Sequence, residues 1–350
     1  MKQTERDERM RGKDLLSVGQ LKAAWRRSEA VEFGDPIHAH ARLDHHAMFY
    51  PLGFPVSVMT NSDAVLDAAQ ENWGKFAHRF DTAPICLKIT VAQDESRVCP
   101  PTPVCRMRGH MLTTVADDGN LAVTDLSRLF SAIWVTEAAV RHRDYFRYFF
   151  LDSTALGCVS SVHATAIHAG CVALDGEGVL LCGDSGAGKT TLSYACARAG
   201  WTYVTDDGSY LVHGEADRLI AGNCHRARFR PSAEALFPQL RGREAMRRAG
   251  VGKPSIELPI EAGGAIRTAP AAKARYLVFL ARNAAAKELT PFPRAVARMF
   301  LWQTVHCVPF ETNRHLEKID ELLELKTFEL RYDSLDWAVE RLERLVREGE

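Results

Sequence analysis

The sequence predicts an α/β fold in which a strand–loop–helix–strand unit follows a smaller α+β region. An apolar run, Val179–Cys182, leads into a glycine-rich loop, and the helical pattern beyond that loop stops at Gly200. The β-rich run Trp201–Asp207 comes next. Between Glu32 and Asp144, short strand-like runs alternate with helical ones. Because 46% of the 350 residues are apolar, the chain can bury a large core.

Three regions are expected along the chain. Residues 1–30 form a charged N-terminal arm, residues 31–150 an α+β N-terminal domain, and residues 151–350 the domain that carries the glycine-rich loop. The aromatic run Tyr145–Leu151 predicts core packing. The elements predicted in the α+β domain are a helix at Ser62–Trp73 and strands at Val56–Thr60, Ile85–Val91, Met111–Val115 and Leu121–Asp125.

The second half of the chain reads as a series of strands closed by a helix. A hairpin is predicted from Cys171–Leu174 and Val179–Cys182, which would place His168 near the strand edge. The other predicted elements are helices at Lys189–Ala199, Ser232–Leu240 and from Ser334 onward, and strands at Tyr276–Leu280 and Thr327–Tyr332.

The glycine-rich loop has the spacing G-x-x-x-x-G-K-S/T of a phosphate-binding loop, with an apolar strand before it. Backbone N–H groups can surround phosphate oxygens only where no Cβ blocks the approach, and glycines meet that need. Lys189 would reach the β- and γ-phosphates, and the Thr190 hydroxyl would ligate Mg²⁺. The pattern therefore predicts ATP and Mg²⁺ as ligands, with the nucleotide held by Gly183, Asp184, Ser185, Gly186, Ala187, Gly188, Lys189, Thr190 and Thr191.

Two carboxylates, Asp206 and Asp207, end the strand that follows the helix. Ligands of open α/β sheets gather at the carboxyl ends of strands, so the pair offers one metal ligand and one base beside the phosphates. The same Asp-Asp-Gly sequence also favours an ordinary turn. His168 lies upstream in an apolar run, and from composition alone we expect it to be a hydrogen-bonded core histidine.

Together these residues resemble the catalytic domain of HPr kinase/phosphorylase, where a histidine, a G-D-S-G-x-G-K-S/T loop and an Asp-Asp pair recur at fixed separations. Here Gly183 stands 15 positions after His168 and 23 before Asp206. The likeness covers roughly residues 158–212 and implies a P-loop kinase domain of the HPr kinase/phosphoenolpyruvate carboxykinase type. It implies that Asp206 takes the proton from the acceptor hydroxyl, with His168 and Asp207 assisting around the phosphates or the metal. It also implies a homo-oligomer.

The chain departs from that family after the Asp-Asp pair. The glycine-containing signature loop associated with recognition of HPr and with the phosphorylase reaction has no clear counterpart, so the resemblance leaves both of these properties open for this chain. In its place stands His225–Pro231, which puts Arg226, Arg228 and Arg230 on one face if it is a strand. Such a row suits phosphate clamping or docking of an acidic peptide, or is an ordinary solvated face. The chain looks more like HPr kinase-like proteins that phosphorylate serine on a small peptide.

Three functions are consistent with this reading. The leading one is a Mg-ATP-dependent kinase that transfers the γ-phosphoryl group to a serine-type hydroxyl on a protein or peptide, with Asp206, His168 and Lys189 as catalytic residues and Thr190 and Asp207 as metal ligands. The second is a nucleotide-gated binding module in which ATP orders the arginine row and the glycine-rich stretch at 261–265. The third is a small-molecule kinase acting on a hydroxy amino acid.

The charge balance and the cysteine content indicate which classes of partner and which cellular compartment to expect. Lys plus Arg and Asp plus Glu both number 44, so no global charge favours nucleic acid or a membrane surface. The nine cysteines are scattered, with no C-x-x-C pair, which predicts reduced thiols and a cytoplasmic protein. The charged stretch Met1–Lys22 has no apolar segment of the kind found in secretory signals.

Overall fold

The computed structural model describes residues 17–27, 41–215, 217–245, 253–260, 266–282, 287–304 and 311–349. The chain divides into two compact units, residues 1–42 and 43–350. In the first unit, helix α1 spans Val18–Arg26 and begins with a capping box, because Ser17 accepts from the backbone of Gln20 and the Gln20 side chain accepts from the backbone of Ser17. The predicted domain boundaries at residues 30 and 150 stay predictions.

The second unit begins with a seven-stranded sheet in the order β1-β2-β3-β7-β6-β5-β4. Strand β3 pairs in parallel with both β2 and β7, and all the other pairs in this sheet are antiparallel. The predicted strands in this region are confirmed. The strands are β1 His45–Phe49, β2 Val56–Thr60, β3 Ile85–Ala92, β4 Val104–Arg108, β5 Met111–Asp117, β6 Asn120–Asp125 and β7 Phe130–Thr136.

Helices pack against this sheet and bury its apolar residues. Helix α2, Asp63–Trp73, confirms the predicted helix and follows Ser62 at its N-cap. After α3, Glu137–Arg141, the chain winds through residues 143–163 in short α-helical and π-helical turns, with α4 at Arg143–Phe146 and α5 at Ser153–Cys158. The aromatic run is buried there, as predicted, among the side chains of Tyr145, Phe146, Phe149, Phe150 and Leu151.

A nine-stranded sheet forms the rest of the unit. Its order is β15-β10-β8-β11-β12-β16-β18-β17, with β9 paired to both β8 and β16. The strands are β8 Ala164–Leu174, β9 Glu177–Cys182, β10 Thr202–Thr205, β11 Gly208–Val212, β12 Leu219–Gly222, β15 Arg267–Thr268, β16 Ala271–Arg282, β17 Glu288–Pro291 and β18 Lys326–Tyr332. Strands β13 Arg226–Phe229 and β14 Ile256–Pro259 form a separate antiparallel pair.

Helices lie on both faces of this sheet, which makes the architecture mixed α/β. On one face, Leu180, Leu277 and Phe279 pack with α7, Arg294–Thr304, and α8, Thr312–Leu322. On the other face, alternate residues of the same strands pack with α6, Lys189–Arg198, and α9, Leu335–Glu348. Because both faces are covered, β9 and β16 read as near-continuous apolar runs in the sequence.

Two sequence predictions in this region were wrong. The stretch Ser232–Leu240 is not an α-helix but two short 3₁₀ turns, Pro231–Ala235 and Pro238–Leu240, because Pro238 lacks an N–H and clashes with the preceding turn. The first arm of the hairpin is also longer than predicted. It begins at Ala164, where β11 pairs with it, so His168 lies inside β8 rather than near its edge.

Several predictions concern residues that the structure does not describe. These residues are the glycine-rich stretch at 261–265 and most of the N-terminal arm. Eight described cysteines carry free thiols. Within the described ranges, no helix combines the length and apolarity needed to cross a bilayer.

Two buried histidines, His213 directly after β11 and His315 in α8, contact Thr165 of β8 and form a cluster with it. The Thr165 hydroxyl lies 2.8 Å from His213 Nε2 and 2.9 Å from His315 Nδ1. The other His213 nitrogen, Nδ1, lies 3.2 Å from the carbonyl oxygen of Val162, which can only accept, so Nδ1 carries the proton. Thr165 therefore donates to His213 and accepts from His315. Burial, with Arg314, His315 and Lys318 nearby, lowers the pKa of His213 to about 3.

We expect this cluster to make the protein acid-labile. Unfolding returns His213 to its ordinary pKa of about 6.5, so the unfolded chain binds a proton that the folded protein does not, and stability falls as pH drops below that value. His213→Gln removes that proton uptake. The slope of unfolding free energy against pH, measured by urea denaturation between pH 6 and pH 5, should decrease by about 1.4 kcal/mol per pH unit. Equal slopes in the two proteins would show that His213 is charged in the folded state.

Candidate functional site

The loop between β9 and α6 has the backbone that its glycines allow. Gly183, Gly186 and Gly188 all have positive φ, at 149°, 97° and 103°. A Cβ on Gly188 would lie 2.5 Å from the hydroxyl oxygen of Tyr332. That hydroxyl donates to the carbonyl of Ala187 at 3.3 Å, so the end of β18 braces the loop. At these glycines no Cβ hinders a ligand from reaching the backbone N–H groups, and the hydrogen bond from Tyr332 holds the loop in place.

Lys189, the first residue of α6, is buried and folds back along the loop. Its Nζ donates to the Gly183 carbonyl at 2.8 Å and lies 3.0 Å from His168 Nε2. Burial lowers the pKa of Lys189, and the nearby carboxylates, Asp207 foremost, oppose that effect. Because the ammonium group of Lys189 can only donate, His168 Nε2 must be the acceptor of this hydrogen bond.

His168 in turn connects Lys189 to Asp207. With Nε2 accepting from Lys189, the ring proton lies on Nδ1, which faces the Asp207 carboxylate at 3.1 Å. Strand pairing explains the placement, because His168 lies opposite Gly208 and one residue before the Ala169–Cys182 pair that ends β9. The side chain of Asp207 is 61% exposed and that of His168 40% exposed, so this part of the site faces solvent.

Asp206 is held in a different environment. Its Oδ2 accepts from the Thr190 hydroxyl at 3.0 Å and from the backbone N–H of Arg228 at 3.0 Å. The residue is only 7% exposed. Burial raises the pKa of Asp206 to about 6, and the charge of Asp207 acts in the same direction, whereas the hydrogen bonds from Arg228 and Thr190 oppose the shift.

The structure thus brings together the five side chains predicted to do chemistry. Strand β8 lies between β9 and β10 and is antiparallel to both, so β9 and β10 end at the same edge of the sheet. The loop and the aspartate pair lie at that edge, as the strand-end argument predicts. His168 lies beside them because β8 continues past the ends of β9 and β10. The predicted metal ligand Thr190 contacts Asp206, while Asp207 contacts His168. The roles assigned to these residues stay predictions.

The donors at this edge fit Mg²⁺. Across the described ranges, no three His, Cys, Asp or Glu side chains converge in a way that could hold a metal. Mg²⁺ does not need such a cluster, because it binds through one or two carboxylates together with phosphate oxygens and water. The Thr190 hydroxyl and the adjoining aspartates are hard oxygen donors of that kind.

The arginine row is only partly available. Strand β13 puts Arg226 and Arg228 on one face, as predicted, but both pair with Glu257 of β14, at 3.2 Å and 2.7 Å. Arg230 reaches the loop instead, with its Nη2 3.5 Å from the Ser185 hydroxyl. Sequence reasoning missed Glu257, and it missed Tyr332 as well, because neither stands near the motif in the chain.

A small polar cavity lies beside β13. It has a volume of about 120 Å³ and its walls carry both signs of charge. Arg226, Arg228 and Glu257 line it, together with Arg147 and Asp152. Asp152 is partly buried and accepts hydrogen bonds from Asn72 and Trp73, and its desolvation raises its pKa.

Comparisons with known proteins add little to this geometry. Neither a protein-family model nor a curated protein matches the chain. Among solved structures, the chain is similar to the HPr(Ser) kinase/phosphatase from Coxiella burnetii, at 14% sequence identity and a TM-score of 0.28. That similarity covers 53% of this chain and 93% of the other. The score is too low to carry an argument, so function has to be argued from the geometry of the site.

We expect Gly188→Ala to strain the loop measurably. The added Cβ meets the Tyr332 hydroxyl and the positive φ is unfavourable for alanine, so the free energy of unfolding should fall by about 1–3 kcal/mol. Adding Tyr332→Phe removes the clashing oxygen and should recover part of the loss. Denaturant unfolding of the two single variants and the double variant measures both effects. A purely additive double variant would show that Tyr332 does not press on the loop.

Proposed function

We propose that this chain is a Mg-ATP-dependent phosphotransferase that transfers the γ-phosphoryl group to a serine-type hydroxyl on a protein or peptide. One observation carries the proposal. A buried carboxylate, Asp206, is bonded to the hydroxyl of the residue that follows the loop lysine, at the edge of the sheet where the loop, His168 and Asp207 also lie. Phosphoryl transfer needs this combination of phosphate cradle, cation, oxygen ligands and positioned base.

The loop residues 183–191 would hold the phosphates. Their backbone N–H groups and the start of α6 favour anions, and Lys189 contributes a positive charge that is already buried beside them. Mg²⁺, when bound by Thr190 and Asp207, would offset the charge of the β- and γ-phosphates. Arg230, beside Ser185, adds a second protein cation at the mouth of the loop.

Asp206 would accept the proton of the acceptor hydroxyl. A base works best when its pKa lies near the working pH, and a pKa of about 6 leaves the carboxylate ionised at neutral pH yet more basic than an ordinary aspartate. The hydrogen bonds from Thr190 and Arg228 fix its orientation. A nucleotide-gated binding module would have no use for a base held in this way, so the geometry favours transfer.

A second candidate function is supported by the polar cavity beside β13. A cavity of about 120 Å³ lined by both arginines and carboxylates suits a zwitterion the size of a single amino acid. Arg228 connects that cavity to Asp206, because it lines the cavity and its backbone N–H donates to Asp206. A free hydroxy amino acid is therefore the alternative acceptor.

Transfer is tested with γ-labelled ATP, Mg²⁺ and two acceptor sets, serine peptides and free hydroxy amino acids. We expect label on a defined acceptor, and we expect Asp206→Asn to bind nucleotide while losing at least about 100-fold in transfer rate. Asp175→Asn, at an exposed aspartate in the β8–β9 turn, is the matched control and should transfer normally. Near-normal transfer by Asp206→Asn would contradict the assignment of the base. Nucleotide binding without any labelled acceptor would favour the gated binding module.

The pH dependence of transfer follows from the environment of Asp206. Since only the carboxylate accepts a proton, the transfer rate should fall as pH drops below about 6. The charge of Asp207 raises the pKa of Asp206, so Asp207→Asn should move the acidic limb of the profile to lower pH. Single-turnover rates at saturating nucleotide, from pH 5 to pH 8, measure this. An acidic limb that stays in place would mean that another group sets it.

A further inference from the structure

We propose that the cavity between the start of α6 and the start of α9 binds the nucleoside of the nucleotide whose phosphates lie on the glycine-rich loop. This inference rests on the proposed function and deepens it. The cavity has a volume of about 320 Å³, within the range of small-molecule sites. It is separate from the polar cavity beside β13, with which it shares no lining residue.

Three successive residues at the start of α6 set the direction of the nucleotide. Lys189 points to His168, and Thr190 points to Asp206. Thr191, the next residue, lines the cavity. The transferred phosphoryl group belongs at the end where Lys189, His168 and Asp206 lie. The remainder of the nucleotide then runs toward Thr191 and reaches the cavity.

The walls suit a nucleoside rather than another phosphate. Leu236 and Leu335 supply apolar surface, and Leu236 is 41% exposed despite its size. Buried Tyr332 also lines the cavity, and burial raises the pKa of its hydroxyl to about 12, which keeps its hydrogen bond to the Ala187 carbonyl in place. A base can pack against the leucines, and Arg282 adds a planar cation for its face.

Carboxylates at the rim suit ribose. Asp336, in the first turn of α9, is exposed and lines the cavity, whereas the neighbouring Asp333 is bonded to Lys287 at 2.8 Å. Carboxylate oxygens accept hydrogen bonds from ribose hydroxyls, but they repel phosphate. The cavity therefore favours a ribonucleotide donor over inorganic pyrophosphate. It also leaves the opposite side, next to Arg228, for the acceptor.

The test compares two ligands that differ only in the nucleoside. Calorimetric titration of the full chain with Mg²⁺ and either ADP or pyrophosphate gives both affinities. We expect ADP to bind at least about tenfold more tightly than pyrophosphate. Leu236→Ser and, separately, Asp336→Asn should each weaken ADP binding about fivefold and leave pyrophosphate binding unchanged. Val296→Ser, at a comparably exposed residue of α7, is the control and should change neither.

The outcomes separate this inference from the proposal beneath it. Equal affinities for ADP and pyrophosphate would overturn the nucleoside site while leaving phosphate binding by the loop intact. Variants that weaken both ligands equally, or a Val296→Ser protein that loses ADP binding to the same extent, would also overturn it. If the wild-type protein bound neither ligand, the proposed function itself would fail, and this inference with it.

Discussion

The hydrogen bonds to the Asp206 carboxylate are the constraint on which the rest of the site depends. One oxygen accepts from Thr190 at the start of α6 and from the backbone of Arg228 in β13. Asp206 itself directly follows β10, so three separate elements converge on one buried acidic group. Burial of a carboxylate is costly unless hydrogen bonds satisfy it. These two bonds offset part of that cost and limit how far burial raises the pKa of Asp206.

Around this carboxylate the site divides into a buried half and an exposed half. The exposed half is formed by His168 and Asp207, and His168 connects Asp207 to the buried Lys189. Along this chain each side chain sets the proton position of the next. The two aspartates are adjacent in sequence but differ in burial, and the charge of Asp207 helps to keep Asp206 basic. Pairs of titratable groups with environments this different are typical of acid–base sites. Tyr332 donates to the Ala187 carbonyl and so braces the glycine-rich loop.

Local signals in the sequence predicted this edge well. The loop, helix α6 and the aspartate pair were found because their residue types are required by backbone conformation and strand-end geometry, and most strands had clear apolar patterns. His168 needed the spacing to the loop, since a lone histidine carries no such signal. The contacts that escaped prediction are long-range. Glu257 neutralises Arg226 and Arg228 across a strand pair, β11 extends β8 past His168, and Tyr332 reaches the loop from 145 positions away.

The measurement that tests the central claim most directly is a carboxyl-carbon NMR titration of the protein labelled at its aspartates, with Asp206→Asn used to assign the Asp206 resonance. The environment described above predicts a midpoint near pH 6 for Asp206. A midpoint near 4, the ordinary value for an aspartate, would contradict the account, because Asp206 would then be no better a base than any exposed carboxylate.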